Sequence, residues 1–332
     1  IFYMCKKIVA IAMGGYSSEF EISLKSGSVV YDALDKNSYE VYKVHILEDR
    51  WYYILPDGSN AVVTKENFGC THQGKTIIPD VVFNIIHGTP GEDGILASYL
   101  ELIGIPQTSA GYYQAALSFN KRDCLSVLKN FDIKCATSVY INEGDLINTA
   151  EIINTVGLPC FVKPNRAGSS FGISRVQTAE MLPKAILEAY KEDTEVIIES
   201  ELIGTEVSVG AYKHNGLIQV LNPTEIVSEN DFFDYEAKYL GKSQEITPAR
   251  ISEKETKLVQ EVTKKIYQVL NMSGITRSDF IIQNGVPYLI EINSIPGLSE
   301  ESIIPKQLND AGITMTDFYA LLIENTLKGA LQ

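Results

Sequence analysis

The first hundred residues alternate short apolar runs with amphipathic segments, and that alternation constrains the fold more than any other feature of the chain. Ile8–Met13 is an unbroken apolar run ending at Gly14-Gly15, as expected of a strand buried on both faces. A helix is predicted over Phe20–Leu34. Its apolar residues are Ile22, Leu24, Val29, Val30 and Ala33, and Ser18 and Glu21 stand at capping-box spacing. Val41–Leu47 and Val81–Ile86 read as further strands, and Ile95–Ile103 as a helix stopped by Gly104 and Pro106. Strands that alternate with helices pair in parallel and receive ligands beyond their carboxyl ends.

Two such strand ends carry polar side chains. After Gly14-Gly15, Glu19 falls in the first helical turn. A carboxylate there either favours the helix dipole or holds a ligand's ammonium. The segment His87-Gly88-Thr89-Pro90-Gly91-Glu92-Asp93-Gly94 either turns the chain or brings backbone close to a ligand.

From about Leu117 the texture changes. A helix over Asn120–Lys129 precedes short strands at Ser138–Ile141, Cys160–Lys163, Ile173–Val176 and Val196–Glu199. Another unit opens near Glu206 with the alternating strand Glu206–Tyr212. Ser228–Thr247 is polar, aromatic-rich and without periodicity, as in lids and binding loops. Ser252 and Glu255 cap a helix ended by Gly274, and a last helix is expected near Thr316–Leu327. The expected units are 1–117, 118–204 and 205–332.

Composition narrows the partners. Among 332 residues, 28 basic side chains face 42 acidic ones, a net charge of −14. Such a surface opposes sequence-independent binding of nucleic acid and docking on anionic lipid. Five scattered cysteines without a C-x-x-C pair fit a reducing, cytoplasmic setting. Ile8–Met13 is too short for a signal peptide, and Met4 reads as a natural start behind an upstream extension Ile1–Tyr3.

Arg277–Asn293 carries the clearest chemistry. Asn284-Gly285 between two apolar runs marks a hairpin. A two-residue loop would set Asp279 opposite Ile290, facing away from Glu291. A three-residue loop with a bulge at Gly285 would pair Arg277 with Glu291 and put Arg277, Asp279, Glu291 and Asn293 on one face. Two carboxylates and an amide oxygen are hard ligands suited to Mg²⁺; the alternative is a solvated polar face, and on this reading a two-residue turn rules the cation site out.

Phe161–Gly172 places Lys163 at a strand end before the loop Ala167-Gly168-Ser169-Ser170. That arrangement fits a phosphate flap or an ordinary hairpin. Lys121, at a helix start, is a second phosphate contact or a solvated lysine. The strand Val196–Glu199 exits into Ser200-Glu201-Leu202, with Glu206 beyond. Exposed backbone and a carboxylate there could read an adenine edge and ribose hydroxyls, or form a loop with surface glutamates.

Together the segments resemble the D-alanine–D-alanine ligases of the ATP-grasp superfamily. The resemblance rests on Gly14-Gly15-x-Ser17-x-Glu19, His87-Gly88-x-x-Gly91-Glu92-Asp93-Gly94 and Lys163-Pro164 with Gly168-Ser169-Ser170-x-Gly172. It continues through Asp234–Tyr239, Arg277-x-Asp279 and Glu291-x-Asn293-x-x-Pro296-Gly297, in order along nearly the whole chain. It implies mixed α/β and α+β architecture: an N-terminal Rossmann-like parallel-sheet domain, then central and C-terminal ATP-grasp domains.

The resemblance also assigns roles. Adenine is read near Glu199 and Leu202 and ribose by Glu206. Lys121, Lys163 and Lys238 contact phosphates, while Asp279, Glu291 and Asn293 hold two Mg²⁺, with Mn²⁺ able to substitute. Glu19 anchors the ammonium of the first D-alanine, beside His87. Arg277 and the backbone of Gly297 stabilise oxyanion charge, and Ser302 and Ile303 receive the second D-alanine's carboxylate. Ser169 and Tyr239 link to Glu19 and latch the lid. The implied activity is ATP-dependent joining of two D-alanine molecules through an acyl phosphate, for peptidoglycan precursors, by a homodimer in the cytoplasm. Tyr239 favours an amine as second substrate over D-lactate. Ala167, Ser200 and Glu301 depart from residues common in relatives and put the finer phosphate and second-subsite contacts in question. D-Serine or D-lactate as second substrate, and a non-catalytic regulator, are the competing readings.

Overall fold

A computed structural model describes residues 6–168, 171–228 and 243–329. The first sheet runs in the order β4-β3-β2-β1-β7. Within it β1 (Lys7–Gly14) lies between β2 (Tyr39–Ile46) and β7 (Val81–Asn84) and is parallel to both. β3 (Trp51–Ile54) and β4 (Asn60–Val62) extend it antiparallel, and β5 (Cys70–His72) with β6 (Lys75–Ile77) forms a separate ribbon. The sequence reading passed over these four short strands, whose three or four residues are too few to show a period.

The helices α1 (Phe20–Ala33) and α2 (Ile95–Leu102) stand where expected. The capping box at Ser18 and Glu21 does not form. Glu19 is itself the residue flanking α1, one position before the first turn, and it makes no side-chain cap. Ser17 is used instead, its hydroxyl accepting from the Glu19 N–H and donating to the His87 carbonyl. α3 (Tyr112–Phe119) precedes α4 (Lys121–Lys129), which Asn120 caps through Asp123.

The second sheet is antiparallel, ordered β10-β9-β11-β8: β8 is Ser138–Asn142, β9 Cys160–Pro164, β10 Ser174–Val176 and β11 Glu195–Ser200. α5 (Thr149–Val156) and α6 (Leu182–Ala189) cover one face.

The third sheet runs β15-β14-β12-β16-β17, with β13 (Leu217–Val220) beside β12 (Thr205–His214). Part of the expected lid is strand instead: β14 (Thr224–Ser228) and β15 (Ser243–Ile246) pair in register, as their β-branched residues allow. Residues 229–242 lie outside the described residues. The capping box at Ser252 and Glu255 does form, opening α7 (Glu253–Val269).

β16 (Thr276–Gln283) and β17 (Val286–Asn293) settle the hairpin question. The turn is the two-residue one: Gln283 pairs with Val286, and Asn284 and Gly285 both take positive φ (53° and 75°). That corrects the expected three-residue loop. The register then shifts at Asp279/Phe280, so that Phe280 pairs with Leu289 but Asp279 with Glu291, leaving Ile290 as the extra residue of a bulge. Arg277 accordingly pairs with Asn293 rather than Glu291.

α8 (Ile303–Asp310) and α9 (Met315–Gly329) complete the chain. They join the first and third sheets through one core. Val9, Ile11 and Phe83 pack with Tyr212, Ile295, Ile304 and Phe318, and the rings of Phe83 and Tyr319 meet edge to face at 5.6 Å. This packing fixes the turn after β17 against the carboxyl ends of β1 and β7. Among the described residues no helix is long and apolar enough to cross a membrane.

Candidate active site

Three groups of residues converge where the sheets meet. The first surrounds a cavity of about 120 Å³ between the second and third sheets, lined by Lys121, Lys163, Glu199, Leu202, Glu206, Asp279 and Glu291 among others. β9 and β11 pair Lys163 directly with Ile197. That register lets the Lys163 Nζ reach Glu199 Oε2 at 2.8 Å. Burial opposes the lysine charge most strongly of any one cause, but Glu199, Glu291 and Glu206 together outweigh it, and the ammonium holds its proton more tightly than a free lysine. Lys121 extends from the first turn of α4 with its Nζ on the Ala167 carbonyl at 2.9 Å and 3.3 Å from Glu291.

The second group is the β16–β17 face. Arg277 grips both oxygens of Asp279 at 2.9 and 2.7 Å, and the Asn293 amide donates to the same carboxylate at 3.0 Å. Ser208, buried on β12 directly opposite Asp279, donates to it at 2.6 Å. The sequence reading missed Ser208; its inward place in the alternation of β12 was the available signal. The bulge turns Ile290 and Glu291 together toward the cavity. Among the described residues no three His, Cys, Asp or Glu side chains gather as a cation site. The donors here are two carboxylates and one amide, and this hard-oxygen set fits Mg²⁺.

The third group stands at the carboxyl ends of β1 and β7, beside a cleft of about 1030 Å³ bordered by Glu19, Gly88 and Gly168. A Cβ built on Gly168 would lie 2.5 Å from a Glu19 carboxylate oxygen, and one on Gly88 3.5 Å from it. His87 is buried, and its Nδ1 lies 2.9 Å from the Ile295 carbonyl. A carbonyl can only accept, so Nδ1 carries the proton and Nε2 keeps a bare lone pair. That Nε2 is buried with no hydrogen-bond partner among the described residues. Burial lowers the affinity of His87 for a second proton, against the attraction of Glu19.

Gly297 and Ser302 complete the line. A Cβ on Gly297 would meet the Ser302 hydroxyl at 2.7 Å, and that hydroxyl lies 2.8 Å from the hydroxyl of Ser299. Ser302 is the N-terminal flanking residue of α8, whose free N–H groups suit an anion. The Ile303 side chain is buried in the core, which leaves its backbone for any contact. Ser169, Lys238 and Tyr239 lie outside the described residues. The structure thus gathers Lys121, Lys163, Glu199, Leu202, Glu206, Asp279 and Glu291 about one cavity. Glu19 and His87 stand apart at the first sheet, joined to the third by the His87–Ile295 bond.

Comparison with known proteins agrees with this arrangement. Residues 8–110 match a family described as D-ala D-ala ligase N-terminus, and residues 127–324 its C-terminus. The chain belongs to the D-alanine–D-alanine ligase family. A D-alanine–D-alanine ligase of Flavobacterium johnsoniae is 58% identical over 97% of this chain and 99% of its own length. One from Christiangramia forsetii is 54% identical over the same shares. Among solved structures, D-alanyl-alanine synthetase A of Vibrio cholerae superposes with a TM-score of 0.88 at 28% identity, covering 98% and 99% of the two chains. The VanG D-Ala:D-Ser ligase of Enterococcus faecalis gives 0.85 at 30% identity, covering 96% and 99%. The N-terminal sheet and the two following sheets are therefore the ligase fold, a mixed α/β architecture of ATP-grasp type.

Proposed function

We propose that this chain joins two D-alanine molecules into D-alanyl-D-alanine, using ATP and releasing ADP and phosphate, as a step in making cell-wall peptidoglycan. The observation that carries this reading is the juxtaposition on one ribbon of Asp279 and Glu291, bordering the cavity that Lys121 and Lys163 line, with Asn293 bonded to Asp279 beside them. The chain would divide into the units 1–117, 118–204 and 205–332 and act as a homodimer in the cytoplasm. Its family supports the dimer, and four unpaired cysteines among the described residues (70, 124, 135 and 160) fit a reducing compartment.

A carboxylate is a poor electrophile at neutral pH, so the first amino acid must be activated before a peptide bond can form. Glu19 and the bare Nε2 of His87 suit its ammonium, one by charge and the other as an acceptor. Lys121 and Lys163, with Lys238, take the phosphates. Glu199 and Leu202 border the adenine, and Glu206 the ribose. Asp279, Glu291 and Asn293 would hold Mg²⁺, and the bound cation would supply neutralisation of phosphate charge. The carboxylate oxygen attacks the γ-phosphorus and ADP leaves, giving an acyl phosphate.

The second amine then attacks the acyl carbon. Arg277 and the Gly297 N–H steady the tetrahedral oxyanion, and the N-terminus of α8 at Ser302 and Ile303 takes the second carboxylate. Phosphate departs with the bridging oxygen. By the family resemblance, Ser169 and Tyr239 act with Glu19 to keep water from the acyl phosphate.

Similarity to a D-Ala:D-Ser ligase favours D-serine as the alternative second substrate. Phosphate release measured with D-alanine alone, then with D-serine or D-lactate added, separates the readings. Full turnover on D-alanine alone is expected, and a strict need for D-lactate would refute the peptide-forming role.

A further inference from the structure

Glu92 is a buried carboxyl group for which the chemistry above has no use. It stands in the turn before α2, 8% exposed, and its two oxygens accept from the start of its own loop and from a segment some two hundred residues away. The Gly88 N–H reaches Oε2 at 3.2 Å, and the Ile295 N–H reaches Oε1 at 3.4 Å. Ile295 returns the contact, its carbonyl accepting from His87 at 2.9 Å. His87 and Gly88 are chain neighbours, so these bonds close a ring. The turn that carries Glu92 is fixed as well: its own N–H donates to the Gly88 carbonyl at 2.7 Å, and Asn84 donates to the Gly91 carbonyl at 3.2 Å.

The two sides of the ring serve different tasks. Gly88 lies against Glu19 and Ser17 at the first subsite. Ile295 lies between Asn293 of the cation face and Gly297. A carboxyl group is a costly way to fill this space: burial, and then the charge of Glu19, push its pKa up to about 7. Leucine would fill the volume without that cost, and glutamine would accept only one of the two N–H groups. Use of both oxygens is explained if their task is to hold the two backbone segments in fixed relation.

Resting on the ligase reading, we propose that Glu92 is a positioning residue that locks the first amino acid's subsite to the turn supplying Gly297, so that activation of that amino acid depends on it while nucleotide binding does not. The test compares wild type with Glu92→Gln and Glu92→Met, both close to glutamate in volume. It reads kcat, the KM for D-alanine at each subsite, the KM for ATP and the thermal unfolding midpoint. Replacing a buried carboxyl by a neutral group of similar size should leave the midpoint unchanged or raised.

In both variants kcat/KM for the first D-alanine should fall about tenfold or more, with the KM for ATP within about twofold of wild type. Wild-type kcat/KM in both variants would overturn the proposal. So would a loss shared equally by the ATP KM and the unfolding midpoint, the mark of a general packing defect. Absence of dipeptide formation by wild type would overturn the ligase reading itself and the proposal with it, a result seen in a different sample.

Discussion

Asp279 lies directly opposite Glu291 across the β16–β17 ribbon, and it does so because Ile290 bulges out of the pairing between them and the Asn284-Gly285 turn. Without that extra residue the two-residue turn would set Asp279 against Ile290. The bulge brings two acidic side chains from adjacent strands to one face, with Asn293 and Arg277 two pairs further along on that same face.

Glu291→Gln and Asp279→Asn each keep the side chain's size and remove a charge from the cation face. Each should lower kcat at least about a hundredfold, some 2.7 kcal/mol of transition-state stabilisation; Glu291→Gln should leave the unfolding temperature in place, whereas Asp279→Asn, which takes the carboxylate from Arg277, should lower it. Steady-state phosphate release beside a melting curve checks this. Activity near wild type in Glu291→Gln would remove the face from the mechanism.

Gly168→Ala should cripple the first subsite. The added methyl would stand 2.5 Å from a Glu19 oxygen, inside any tolerable contact, and the carboxylate must turn away. Titrating turnover with D-alanine should show the KM of the first site up about tenfold or more, with ATP affinity kept. An unchanged D-alanine profile would mean that Glu19 does not hold the substrate.

Lys163→Met and Glu199→Gln should part company. The first strands a buried carboxylate, and breaking such a pair costs about 3–5 kcal/mol. The second keeps an acceptor for the lysine and should cost much less. Lys163→Met should also raise the KM for ATP. Equal loss of stability in the two variants would contradict the pairing.

The pH dependence of stability carries a sign. Burial, and then the charge of Glu19, push the Glu92 carboxyl up to about 7 from its ordinary value of about 4.5, so its neutral form is the one the fold prefers. The stability it contributes is fully present below about pH 4.5 and is lost as pH rises through about 7. His87, whose affinity for a proton is lowered, works the opposite way, contributing stability above its unfolded pKa that fades as pH falls. Subtracting Glu92→Gln from wild type isolates the glutamate. In metal-free buffer the variant should gain on wild type by up to about 3 kcal/mol as pH rises from 5 to 8. A difference that stays flat with pH would show that Glu92 is not perturbed.

Much of this was legible in the residues. Ile8–Met13, Val81–Ile86 and the capped helix at Ser252 could be read because period and capping act within a few residues. The hairpin at Asn284-Gly285 was legible too, and so was the grouping of Asp279 with Glu291. The route to that grouping was not: a bulge in mid-strand leaves no turn residue to mark it, and Ile290 looks like any strand residue. Ser208 stayed hidden because a serine on a buried strand face shows its task only when the partner strand is known. Glu92 stayed within its glycine-rich motif, since a bridge to Ile295 depends on how the first and third sheets pack. That packing is set by Phe83, Ile304, Phe318 and Tyr319, far apart in the chain.

The central claim is that the first D-alanine's carboxylate is phosphorylated at the cation face before the peptide bond forms. The most direct measurement supplies D-alanine labelled with oxygen-18 in its carboxylate, with ATP and Mg²⁺, and weighs the released phosphate. One labelled oxygen per phosphate is the predicted result, because the bridging oxygen of the acyl phosphate departs with phosphorus. Unlabelled phosphate, with dipeptide still formed, would contradict the account.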